Sequence, residues 1–143
     1  MAENAIVRTV AEIMSSPVVT ARSDESLAVA VTRMHENHVG SVVVVAANGS
    51  PSSVSTRTAS GDTSVGRPVG ILTERDLVRI GSASVDLGEA LVSDWMTPDP
   101  DTCRPDETAV KAFARLGEKG YRHMPVVDDD GCLSGLISLR DLM

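Results

Sequence analysis

Apolar positions along this chain change their period in a fixed order, and the order runs twice. Val18-Val19-Thr20, behind Pro17, reads as a short extended segment. Leu27, Ala30, Val31 and Met34 then recur at helical spacing, which predicts an amphipathic helix. The acidic, hydroxyl-rich Ser23-Asp24-Glu25-Ser26 suits the positive end of its dipole, so the helix is expected to begin near Asp24. Val42 to Val45 form a continuous β-branched run, the pattern of a strand covered on both faces. Gly70-Ile71-Leu72 is a further strand, followed by Thr73-x-x-Asp76. The Thr hydroxyl suits a helix N-cap, and Asp76 stands where a capping box usually carries Glu or Gln. The second pass repeats these features. Its helix is expected to begin near Asp106, buries Ala109, Ala112, Phe113 and Leu116, and ends at Gly120. Met124-Pro125-Val126-Val127 is a strand, Asp128 to Gly131 a tight turn, and Gly135-Leu136-Ile137-Ser138 leads to Asp141.

Sliding the chain by 82 residues lays Met14 on Met96, Thr20 on Thr102, Glu25 on Glu107 and Arg33 on Arg115 without a gap. The Gly-x-x-Thr/Ser-x-x-Asp blocks align at an offset of 65, so the first copy carries 17 extra residues. They fall within residues 48–67, a stretch rich in Ser, Thr, Gly and Pro with little apolar surface to bury. It is expected to be a flexible hairpin insertion. The resulting fold class is α/β (α+β): two β-α-β-β-α repeats, at residues 1–81 and 82–143. Each half is a marginal folder alone at about 60 residues. Two halves packed through their sheets with pseudo-twofold symmetry make one stable unit, with a small-molecule cleft between them.

Composition narrows the function classes. Of the 143 residues, 2% are aromatic and the net charge is −7. Base stacking on exposed rings and phosphate-backbone binding are both disfavoured, so no nucleic-acid partner is expected. The two cysteines, Cys103 and Cys132, lie in no Cys-x-x-Cys or zinc spacing. No apolar run is long enough to cross a bilayer, and residues 1–5 carry no secretory pattern. A cytoplasmic protein without membrane association is expected. No nucleophile–base pair, metal-ligand cluster or Walker-type loop is present, so no catalytic activity is expected.

The repeated blocks, taken together, resemble a tandem pair of cystathionine β-synthase (CBS) domains, a Bateman module. The resemblance rests on Val10 to Met14 and Val92 to Met96, on Thr20 and Thr102, and on His123-Met124-Pro125-Val126-Val127-Asp128. The blocks Gly70 to Asp76 and Gly135 to Asp141 complete it. It implies a regulatory module that binds an adenosine-containing ligand: AMP, ADP, ATP or S-adenosylmethionine. Signalling by a conformational or dimer change, a homodimeric state and an unidentified regulated protein are implied with it, and no obligatory cofactor. The alternative is a structural dimerisation module with vacant sites. The first copy departs from the pattern by carrying Val43 where the second has Pro125.

The resemblance also assigns residues. Asp76 and Asp141 match the ribose-binding Asp, whose carboxylate accepts charge-assisted hydrogen bonds from both ribose hydroxyls. Thr73 and Ser138 match the hydroxyl of the same block, at a helix start that favours phosphate oxygens. Thr20 and Thr102 match the Thr near the end of the first strand. The apolar Val18, Val42 and Met124, with Pro100, are expected to flank an adenine. Arg122 and His123 match a basic pair that reaches the phosphate of a ligand held by the other repeat, here in reversed order. Asp76 is therefore expected to share one site with Arg122 and His123. Asp141 and Ser138 are expected to face Val39-Gly40-Ser41, which has no basic residue. Arg75 and Arg140 would add charge beside the two carboxylates.

Overall fold

The structure is a computed structural model that describes residues 8–46 and 66–139. In the first repeat a strand Thr20–Arg22 (β1) leads to a helix Leu27–Glu36 (α2) and strands Ser41–Val45 (β2) and Pro68–Thr73 (β3). Helix Glu74–Ser82 (α3) follows β3 without a break. The second repeat places helix Ala109–Lys119 (α5) before strands His123–Val127 (β5) and Leu133–Ser138 (β6). Short lead-in helices precede each repeat, Val10–Ile13 (α1) and Val92–Trp95 (α4), and a two-residue strand Thr97–Pro98 (β4) follows α4.

The first sheet has the order β1-β2-β3-β4: β1 runs parallel to β2, and the other pairs are antiparallel. β4 belongs by sequence to the second repeat, yet pairs Ile71 with Thr97 on the first repeat's sheet. β5 and β6 pair antiparallel, and Cys103 joins Val126 by a parallel bridge where the first copy has β1. The β2–β3 pairing also brackets the 48–67 insertion, of which residues 48–65 lie outside the described part.

The strand period decides how the halves meet. Val42 and Val44 point one way, into a core with Leu27, Ala30, Met34 and Leu72. Val43, one residue out of phase, points the other way and packs with Val18 and Leu133. β2 is buried throughout, as its unbroken apolar run predicts. A separate core gathers Ala112, Leu116, Met124, Val126 and Ile137.

The lead-in helices are exchanged. Val10 of α1 packs in the core of the second repeat, and Val92 of α4 in the core of the first. The hydrogen bonds repeat the exchange residue for residue. Val92 N–H donates to Glu25 O and Val10 N–H to Glu107 O, both at 2.9 Å. Leu27 N–H donates to Ala90 O at 2.9 Å, and Ala109 N–H to Arg8 O at 2.7 Å. The two long helices start later than the acidic residues suggest. Ser26 and Thr108 are the N-caps, accepting from Val29 N–H and Lys111 N–H. Glu25 and Glu107 instead fold back to accept the Arg22 and Arg104 N–H groups. Gly120 closes α5 in the left-handed region, at φ 72°. Among the described residues no helix is long and apolar enough to cross a membrane.

Candidate functional site

The β3–α3 junction builds one wall of a cleft. Thr73 is extended, at φ −121° and ψ 171°, and its hydroxyl and backbone N–H form a capping box with Asp76. Asp76 Oδ2 accepts from Thr73 N–H at 2.9 Å and from Thr73 Oγ1 at 3.2 Å. Asp76 Oδ1 accepts from Thr97 Oγ1 at 3.3 Å and from the Arg79 guanidinium at 3.4 Å, two long contacts. The carboxylate is 5% exposed and borders the cleft. An ionised carboxylate offers about four lone-pair positions, and these four donors take them up, so a further donor at Oδ1 would displace one of its two long contacts.

The second repeat builds the facing wall. Gly120 turns the chain out of α5, and Tyr121 N–H returns to Leu116 O at 3.1 Å. Arg122 O then accepts Leu139 N–H at 3.0 Å, which fixes the segment on β6. Tyr121, Arg122 and His123 thereby face Thr73, Arg75 and Asp76 across one cleft of about 410 Å³. That volume falls in the range of small-molecule sites, about 300–1,000 Å³. Among the described residues, Arg75 and Arg122 make no side-chain hydrogen bond or ion pair, so two guanidinium groups are open to an anion.

Several cleft residues carried no signal in the sequence. Thr97 arrives through β4, and nothing local places it beside Asp76. Glu74 lies so close to Gly40 that a Cβ there would come within 2.6 Å of its Oε1. Asp101 borders the cleft and is paired with Lys119 at 3.5 Å.

The other residues singled out in the sequence lie elsewhere. Val18 is part of the contact between the halves, and Val42 and Met124 are wholly enclosed in their cores. Thr20 is 1% exposed and Thr102 half-buried; their carbonyls accept from Arg33 at 3.1 Å and Arg115 at 3.0 Å. None of these five lines the cleft, whereas Pro100 does. Ser138 ends β6 opposite the cleft residue His123 but does not itself line the cleft. Arg140 and Asp141 lie outside the described residues, and with them the second carboxylate site.

Two groups outside the cleft are shifted by their surroundings. Burial pushes the Glu25 carboxyl up, but the Arg33 hydrogen bonds, the Arg22 N–H and the nearby guanidinium charges outweigh it and hold it below 4.5. Burial, aided by the Glu107 charge, pushes the Cys103 thiol up to about 12. Among the described residues no cluster of three or more His, Cys, Asp or Glu could hold a metal ion.

Known proteins resemble this chain in sequence and in fold. A protein of Methanopyrus kandleri is 29% identical over 136 residues, which cover 94% of this chain and 61% of the relative. The chain thus spans under two thirds of that relative's length. A CBS domain protein from Pyrobaculum aerophilum, solved in complex with AMP, superposes with a TM-score of 0.77 at 25% identity, covering 94% of this chain and 89% of that one. A CBS domain pair solved with 5′-methylthioadenosine and S-adenosyl-L-methionine gives 0.76 at 20% identity, covering 95% and 93%. CBS pairs are in general regulatory ligand-binding modules. The CBS domain model itself matches residues 10–57 and 92–143, and the chain belongs to that family.

Proposed function

We propose that this chain is a regulatory module that senses an adenosine-containing nucleotide in the cleft between its two CBS repeats. One observation carries the reading: Asp76 of one repeat and Arg122 and His123 of the other border the same cleft. The carboxylate suits a ribose diol and the guanidinium groups of Arg122 and Arg75 suit phosphate oxygens. The AMP complex of the Pyrobaculum relative supports a ligand of this class. A ligand held by both repeats binds their arrangements unequally, and that difference is what can shift repeat packing or dimer geometry. The reading takes the chain as a cytoplasmic homodimer acting on a further protein, with no obligatory cofactor.

Isothermal titration with AMP, ADP, ATP and S-adenosylmethionine tests it. Asp76→Asn and Arg122→Ala are each expected to weaken the preferred nucleotide about tenfold, the worth of one charge-assisted hydrogen bond. Asp141→Ala is expected to weaken it less. Wild-type affinity in Asp76→Asn would remove the assignment. The engagement of both Asp76 oxygens within the protein favours a second reading, a dimerisation module with vacant sites. A thermal-shift series separates the two, since only a bound nucleotide raises the melting temperature with concentration.

A further inference from the structure

Asp76 is tied to the segment that joins the repeats. Its Oδ1 accepts from Thr97 of β4 and from Arg79, one turn further along α3. The other contacts of Arg79 are on Trp95, the last residue of α4. Its guanidinium donates to Trp95 O at 2.7 Å and lies 5.2 Å from the centre of the indole ring. Trp95 packs in turn against the first repeat's core. One planar cation thus spans the cleft carboxylate and the lead-in helix of the second repeat. Its bond to the Trp95 carbonyl is short and its bond to Asp76 long.

Resting on the nucleotide-sensing reading above, we propose that Arg79 is a positioning residue that relays occupation of Asp76 to α4 through Trp95. Donors arriving at Oδ1 compete with Thr97 and Arg79, the two weaker of its partners. A guanidinium released from the carboxylate settles further onto the ring and carbonyl of Trp95. The cation over the indole face changes its distance, and so does the hold of the first repeat on the α4–β4 segment. Arg79 itself is absent from the cleft wall, so its effect on a ligand passes through Asp76.

Trp95 is the single tryptophan of the chain and reports this relay directly. The experiment titrates AMP into the full chain and follows Trp95 emission and calorimetric heat in parallel. In wild type the emission is expected to change with the midpoint of the heat. Arg79→Met keeps the stem and removes the cation. With one competitor for Oδ1 gone, it is expected to bind AMP roughly fivefold more tightly and to lose most of the emission change. Arg79→Lys, which restores charge without the planar fork, is expected to bring affinity part of the way back to that of wild type and to restore little of the signal. A merely structural Arg79 would lower the melting temperature of Arg79→Met and leave the emission change on binding intact. Heat without a Trp95 response in wild type, or an unaltered response in Arg79→Met, overturns the relay while leaving nucleotide sensing in place. No heat in wild type with any of the four ligands overturns both.

Discussion

Replacing Glu25 by Gln is expected to cost more stability than replacing Glu107 by Gln, although the two occupy the same place in the repeat. Arg33 grips Glu25 with both nitrogens, at 2.6 and 2.7 Å, and the side chains are 16% and 14% exposed. Glu25 also accepts Arg22 N–H at 2.7 Å, and Arg33 holds the Thr20 carbonyl. Breaking one partner of such a buried pair leaves a cation and an N–H uncompensated, at about 3 kcal/mol. Arg115 reaches Glu107 through a single nitrogen at 3.2 Å, with side chains 39% and 27% exposed. Water screens that pair, and its loss costs about 1 kcal/mol. At about 3 °C per kcal/mol for a chain of this size, Glu25→Gln lowers the melting temperature by about 9 °C and Glu107→Gln by about 3 °C. Thermal and urea unfolding by circular dichroism at pH 7 measure both. The Glu25 carboxyl is held below its ordinary 4.5 in the folded protein, so its contribution is complete above pH 4.5 and fades as the pH falls through the folded value. The gap between wild type and Glu25→Gln therefore narrows below pH 4.5. Equal losses for the two variants, or a gap independent of pH, would refute the reasoning.

The paired glycines behave unequally as well. A Cβ at Gly70 meets only the flexible Met96 side chain, whereas one at Gly135 meets Met14 and also the Ser15 backbone oxygen at 3.1 Å. Gly135→Ala is expected to cost about 2–3 kcal/mol and Gly70→Ala about 1 kcal/mol by urea unfolding, with Met96→Ala recovering part of the latter. Cys103, 1% exposed and with its thiol raised to about 12, is expected to resist maleimide at pH 7.5 while the half-buried Cys132 reacts. Mass spectrometry after partial labelling counts the two sites, and equal labelling would contradict the burial.

Much of the fold is legible in local chemistry. The Thr73–Asp76 capping box, the buried stripe of α2 and α5, the Gly120 stop and the wholly buried β2 follow from patterns a few residues long. The sequence pattern places the helix starts three residues too early, because acids and cap hydroxyls compete for the same free N–H groups. Ser26 and Thr108 take the cap, and the preceding Glu turns back on its own loop. The meeting of Asp76 with Arg122 and His123 was legible only through family resemblance, since the chain between them carries no local sign of it. The exchange of α1 and α4 was not legible at all. Val10 and Val92 would satisfy the apolar period equally in either core, and only the hydrogen bonds to Glu107 O and Glu25 O decide between them. Thr97 escaped for the same reason: its partner Asp76 is set by which sheet β4 joins.

That exchange has a consequence for cutting the molecule in two. A break in the Ser84–Glu89 loop would leave each fragment holding a plug that fits the opposite half, with Val10 on the wrong piece for one core and Val92 for the other. Neither piece could close itself, yet the two would complement each other when mixed, like a buckle whose tongue and socket are sold on separate straps.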